Sequence, residues 1–186
     1  MVKKLVMALV LMPMMALATT WYVNGSMGSD LNSGTSESAP KATIQAAIDA
    51  SSAGDTILVA PGTYAPIASA SKVLSIRSTQ GALVTIIDGH VGGGTKRCVH
   101  LADASGSFGP PEESSGAYDS LFEGFTIRNG RAEDDYGGGI RGGTVRNCII
   151  EFCASSGAGG AYGCKLYQCI VRNNIAGDDG GGFTVV

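Results

Sequence analysis

The sequence predicts an all-β solenoid of short parallel coils led by a capping α-helix, and three observations carry that expectation. The first is a period of about 22 residues between Phe125 and Val186. Phe125-Thr126-Ile127-Arg128-Asn129, Cys148-Ile149-Ile150-Glu151-Phe152 and Cys169-Ile170-Val171-Arg172-Asn173 align as apolar strands at offsets of 23 and 21 residues. The second is punctuation. An alanine follows each strand (Ala132, Ala154, Ala176), then a glycine run: Gly137-Gly138-Gly139, Gly157-Ala158-Gly159-Gly160, Gly180-Gly181-Gly182. Each run leads into one apolar residue, Ile140, Ala161 or Phe183. The third is the shortness of the unit. It holds two or three strands and no full helix, so it cannot bury its apolar side alone, whereas stacked copies can.

The elements follow in order. Met1-Val2-Lys3-Lys4, an apolar run and Ala16-Leu17-Ala18 read as a secretory signal peptide over 1–18. The run holds 11 residues, too few for a hydrocarbon layer that needs about 20. The mature chain is therefore expected to be exported and to carry no transmembrane segment. Residues 19–55 form an N-terminal cap: the strand Trp21-Tyr22-Val23, a polar loop over 24–38, and a helix over 40–50. Pro40 opens that helix, since proline suits the first helical position, and Ile44, Ala47 and Ile48 share one face. Coils occupy 56–186, about five by the period. Their first strands are 56–60, closed by the turn Pro61-Gly62-Thr63-Tyr64, then 73–77, 83–87 and 98–101. Residues 103–120 break the period and read as an excursion. The last residues fall inside an expected strand, so a continuation of the solenoid is expected beyond Val186.

Composition narrows the function classes. Lys and Arg number 13 against 16 Asp and Glu, for a net charge of −3 over 186 residues. Nucleic-acid binding needs a concentrated positive patch, and none is present. Glycine, at 28 residues, is about twice its usual share of roughly 7% and has no collagen triplet, so it serves tight turns. Among the five cysteines, Cys148 and Cys169 hold equivalent positions in neighbouring coils. Parallel neighbours lie about 4.8 Å apart, within the range a disulfide accepts. A stack of small reduced residues fits the same positions. Cys148-x4-Cys153 and Cys164-x4-Cys169 match no common zinc spacing.

Four stretches carry a resemblance. They are Trp21-Tyr22-Val23, the loop Gly28-x-Asp30-x-Asn32-x-Gly34-Thr35, Thr43-Ile44-x-x-Ala47-Ile48, and Gly54-Asp55-Thr56-Ile57-x-Val59-x-Pro61-Gly62-Thr63-Tyr64. Together they resemble the start of secreted right-handed parallel β-helix proteins of the pectin-lyase-like fold. The Ala-and-glycine repeats after Phe125 look like those of polymorphic outer-membrane proteins and related bacterial surface proteins. The resemblance implies a right-handed parallel β-helix with an N-terminal capping helix, at the cell surface or secreted. It implies no single activity, because lyases, hydrolases and adhesins share the fold.

Stacking lets ladders be read from the alignment. Ile127, Ile150 and Val171 form one inward stack, and Phe122, Val145 and Leu166 another. Gly124, Asn147 and Gln168 share a turn position that asks for a left-handed backbone, which Gln168 suits least. Arg128, Glu151 and Arg172 share one outward position. They read either as a strip for acidic sugars or as a register-setting charge ladder, and the alternating sign favours the ladder. Arg128, Arg172 and Tyr136 are the candidate ligand contacts. Asp134-Asp135 and Asp178-Asp179 share one turn two coils apart, about 9–10 Å by twice the strand spacing, and are the candidate calcium ligands. Repulsion across that gap in water is only about 0.4 kcal/mol, so the fold needs no cation to tolerate these groups and solvated turn aspartates are the favoured reading. Asp30-x-Asn32-x-Gly34 lacks the further oxygens of a calcium loop and reads as local Asx turns. His90 and His100 show no triad partners. No cofactor is expected apart from the calcium candidate.

The expected function is an exported, non-catalytic β-helix, adhesin-like, with a polysaccharide or cell-surface component as partner. The alternatives are a polysaccharide lyase or glycoside hydrolase of the same fold, and an N-terminal capping fragment of a longer solenoid.

Overall fold

A computed structural model describes residues 17–93, 96–101, 120–133 and 135–177, together with the backbone of 183–185. Nearly all of residues 1–18, expected to be a signal peptide, most of the 103–120 excursion, the last glycine run, Asp134, Asp178 and Asp179 lie outside the described residues. The chain begins with β1 (Thr20–Val23), α1 (Ile44–Ala50), β2 (Thr56–Val59), β3 (Gly62–Tyr64), β4 (Ile67–Ala68) and β5 (Ser75–Ser78). β6 (Thr85–Asp88), β7 (Val99–His100), β8 (Leu121–Glu123), β9 (Thr126–Arg128), β10 (Arg131–Ala132) and β11 (Ile140–Arg141) follow. The last are β12 (Thr144–Arg146), β13 (Ile149–Glu151), β14 (Ala154–Ser155), β15 (Ala161–Tyr167), β16 (Ile170–Arg172), β17 (Ile175–Ala176) and β18 (Phe183–Val185).

Strands pair with the matching strand of the next coil, and every strand pairing is parallel. One wall runs β1-β2-β5-β8-β12-β15, a second β3-β6-β9-β13-β16, and a third β10-β14-β17. A fourth row, β4-β7-β11, joins the first wall because the long β15 pairs with β11 at its start and with β12 at its end. The chain is an all-parallel β-solenoid.

Register puts one side chain of each coil above the last. Ile127, Ile150 and Val171 occupy consecutive rungs, continuing down to Ile87 and Tyr64. Ile57, Ile76, Phe122, Val145 and Leu166 form the opposite stack. Ile87, Ile127, Ile150, Phe122 and Val145 are wholly buried, and the Phe122 and Phe125 rings stack 4.3 Å apart inside. Burying such a side chain contributes about 1.5–3 kcal/mol, so the interior ladders rather than the short strands hold the coils together.

Three sequence expectations need correction. The helix starts at Ile44, not Pro40: Thr43 is its N-cap, accepting the Ala46 N–H at 3.2 Å. Pro40 lies in an extended lead-in whose next residue, Lys41, bridges to Val23. Gly62-Thr63-Tyr64, expected as a turn, is a strand paired with β6. Finally, Ser155 and not Ala154 stands in register with Ala132 and Ala176. The strand offset of 23 residues carries through to this position, and the alanine spacing hid it.

The calcium-like loop has a local job. Asp30 Oδ1 accepts from the Ala42 and Thr43 N–H groups and Oδ2 from the Thr43 hydroxyl, each at 2.9 Å. Asn32 donates to the Pro40 carbonyl at 2.9 Å. The loop is thereby pinned to the start of α1. Ile44, Ala47 and Ile48 are buried, and α1 packs on β1, β2 and β4.

Two rows of corners take the left-handed backbone. Gly124, Asn147 and Gln168 have φ of 80°, 52° and 53°, and Asn129, Phe152 and Asn173 have 58°, 55° and 54°. Gln168 and Phe152 are the poorly suited members, since a side chain there costs about 1–2 kcal/mol that Gly, and in part Asn, avoids. Phe152 is 54% exposed, so little packing is at stake. Phe152→Asn and Gln168→Gly are each expected to raise unfolding stability by about 1 kcal/mol, read as a higher urea midpoint at unchanged slope.

Candidate functional site

The outward faces of the strands carry the polar chemistry, and the register decides what meets what. On the second wall Asp88, Arg128, Glu151 and Arg172 form one column. Arg128 turns towards the coil before it and donates to Asp88 Oδ2 at 2.8 Å. Arg172 donates to Glu151 Oε2 at 2.8 Å. The candidate contacts Arg128 and Arg172 are thus each committed to one carboxylate. On the first wall Arg77 donates to Glu123 at 2.8 Å and Asn147 reaches the same carboxylate at 3.1 Å. The Arg146 guanidinium lies 4.9 Å from the Tyr167 ring centre.

The densest cluster surrounds Asp135, where the glycine run meets β11. Arg141, with its side chain 6% exposed, reaches both Asp135 oxygens through Nη1, at 2.8 and 3.0 Å. Arg97 also bonds Asp135, and further donates to the carbonyls of Gly137 and Tyr136 at 2.9 Å each. Two guanidiniums therefore face one carboxylate. Tyr136 stacks on Tyr162 with centroids 4.7 Å apart, and Arg141 sits 5.6 Å from the Tyr162 ring centre. Tyr136 is 44% exposed, so the cluster reaches the surface through an aromatic ring.

Of the four aspartates expected to bind calcium, only Asp135 is among the described residues. No group of three or more His, Cys, Asp or Glu suited to a metal ion occurs among the described residues. His90 is exposed beside Asp88. No helix among the described residues is long and apolar enough to cross a membrane, which leaves strand-built spans unaddressed. A concavity of about 320 Å³ lies near the N-terminal end of the first wall, between Tyr22, Leu58, Glu37 and Pro40.

Residues 26–177 match a family described as a protein of unknown function, DUF1565. The chain belongs to that family. No curated protein and no solved structure matches it.

In this DUF1565 member three carboxyls titrate low. Burial opposes the ionised form of Asp135, but hydrogen bonds from Arg97 and the Tyr136 N–H, with the charges of Arg97 and Arg141, prevail and lower it. Burial likewise opposes Asp88, and Asn129, the His90 N–H and Arg128 outweigh it. Asp55 repeats the pattern with the Ser52 and Thr19 N–H groups and the Trp21 indole. Each folded value lies below the ordinary 3.8. The stability these groups contribute is therefore complete above that value and is lost as pH falls through the depressed range. The urea midpoint is expected to stay flat from about pH 7 to 5 and to fall steeply below about pH 4.

The sequence reading missed Arg97, Arg141 and Tyr162. Arg141 and Tyr162 are register partners one rung apart, each just after the apolar residue that ends a glycine run. The same alignment therefore held the signal for both. Arg97 precedes the interruption at 103–120, and no repeat offset leads from it to Asp135.

Proposed function

We propose that this DUF1565 chain is an exported, non-catalytic β-helix, wound right-handed and capped by α1, that presents its outer walls to a polysaccharide or another cell-surface component in the manner of an adhesin. The observation that carries the reading is the engagement of all seven arginines. Arg77, Arg97, Arg128, Arg131, Arg141 and Arg172 pair with carboxylates, and Arg146 lies over Tyr167. An enzyme acting on acidic sugars by an arginine base would need one of these cations released. Tyr136 and Tyr167, 44% and 47% exposed, offer ring surface to sugar C–H faces, with guanidiniums alongside. Calcium, on this proposal, would fall to Asp134, Asp178 and Asp179, since Asp135 is held by two arginines.

The test is a binding titration of the purified full-length product against a panel of neutral and acidic polysaccharides. Saturable binding weakened by the double substitution Tyr136→Ala, Tyr167→Ala supports the proposal. Formation of unsaturated products from polygalacturonate in the presence of calcium, followed by absorbance, would replace it with a lyase. An unfolding midpoint unmoved by a chelator would remove the calcium part alone.

A further inference from the structure

The concavity at the N-terminal end of the first wall takes no part in the arginine pairs, and its lining is chemically one-sided. Val23, Ile57 and Val59 are buried, so their strand neighbours Tyr22 and Leu58 face outward and are half-buried. These two are register partners on consecutive rungs and form the floor. The cap loop passes beside them and supplies Pro40 and Glu37. Backbone bonds hold that loop in place. The Gly34 N–H donates to the Ala39 carbonyl at 3.0 Å, the Ala39 N–H to that of Ser36 at 3.2 Å, and the Tyr22 N–H to that of Gly34 at 2.7 Å.

Most polar groups of the lining are already satisfied. Asn24 Oδ1 accepts from the Ser26 and Met27 N–H groups at 3.1 Å each, and the Thr79 hydroxyl donates to the Val59 carbonyl at 3.2 Å. The Glu37 carboxylate and the Tyr22 hydroxyl have no hydrogen-bond or ion-pair partner among the described residues. The neighbouring cations are committed elsewhere. Arg77, next in the Tyr22–Leu58 column, donates to Glu123 at 2.8 Å, and Lys41 Nζ donates to the Asp30 carbonyl at 2.9 Å. An apolar and aromatic floor under one uncompensated carboxylate calls for a cation that carries its own hydrocarbon.

We propose that this concavity binds a small primary ammonium ion with a hydrocarbon or aromatic body. Glu37 accepts its N–H groups, the Tyr22 ring offers a π face to its charge, and Leu58 and Pro40 cover its body. The volume of about 320 Å³ stands at the low end of the roughly 300–1,000 Å³ of ligand pockets. That size suits one small molecule and not a stretch of polypeptide. A neutral sugar would leave the Glu37 charge unanswered, and an anion would be repelled. The site is separate from the polysaccharide surfaces, because Tyr136 and Tyr167 belong to later coils.

The test titrates the isotope-labelled full chain with phenethylammonium chloride and follows amide shifts by NMR. Saturable shifts are expected at Tyr22, Glu37 and Leu58, with a Kd of about 1 mM. Phenethyl alcohol, the same body without the charge, should bind about fivefold more weakly, and Glu37→Gln should erase that difference. Tyr22→Leu should weaken the amine about threefold while Glu37 keeps a preference for it over the alcohol. Equal binding of amine and alcohol, a preference that survives in Glu37→Gln, or shifts still linear at about 10 mM would each overturn the proposal. Tighter saturation by Nα-acetyl-lysine amide would overturn the small-molecule assignment in favour of a partner's lysine. The comparison of amine with alcohol uses the unaltered chain, so a loop disturbed by either substitution leaves it decisive.

Discussion

Gly138→Ala is expected to abolish cooperative folding of the coils around it. A Cβ at this position would lie 2.1 Å from the Ala154 carbonyl oxygen and 2.9 Å from that of Gly159. Both obstacles are backbone in the next coil, so no side chain can rotate away. Relief requires moving whole rungs apart, which breaks the Gly137 and Gly139 N–H bonds to Ala158 and Gly159, at 2.8 and 3.1 Å. Each lost bond costs about 1 kcal/mol and more where a buried donor is left unpaired. The interior contacts of Ile140 and Ile150 loosen at the same time. Gly159 repeats the geometry one coil on, with the Ile175 carbonyl 2.1 Å from its would-be Cβ. The measurement is far-UV circular dichroism with a urea titration. A cooperative transition within about 1 kcal/mol of the parent's would show that the coils can part at no great cost, contrary to this account.

Asp135→Asn should cost about 2–3 kcal/mol at neutral pH, less than the roughly 3–5 kcal/mol for breaking a fully buried pair. The discount follows from exposure, since the Asp135 side chain is 34% accessible and water screens part of the interaction. The penalty arises because Arg141 is nearly enclosed and would lose its carboxylate. Part of the acid sensitivity below pH 4 should vanish with the substitution, because one depressed carboxyl no longer titrates. Urea titrations of parent and variant at pH 7 and pH 3 measure both effects. Equal loss at the two pH values would show that Asp135 contributes shape and not charge.

What the sequence disclosed depended on the period. Ile127, Ile150 and Val171 could be stacked from offsets alone, because a parallel register repeats with the coil and ignores what the chain does between. The left-handed corner at Gln168 was legible for the same reason. Features fixed by contacts across an irregular stretch were not. Arg97 reaches Asp135 over an interruption of unpredictable path, and Asp88 joins the Arg128 column from beyond that same interruption. The helix start was misjudged because Pro40 is a strong local signal. The Asp30 carboxylate, 13 residues before Thr43, instead gathers that residue's backbone N–H and hydroxyl. The role of Ser155 was obscured by a neighbouring alanine, and its hydroxyl is buried without a hydrogen-bond partner among the described residues.

The charge column on the second wall gives the molecule a parity. Asp88 couples to Arg128 and Glu151 to Arg172, so the unit of electrostatic closure is two turns of the solenoid, although the unit of packing is one. Excising the single turn that bears Glu151 would bring Arg128 under Arg172 and set like charges face to face, whereas excising two leaves every cation matched. Growth or shrinkage of such a wall is thereby biased towards even steps.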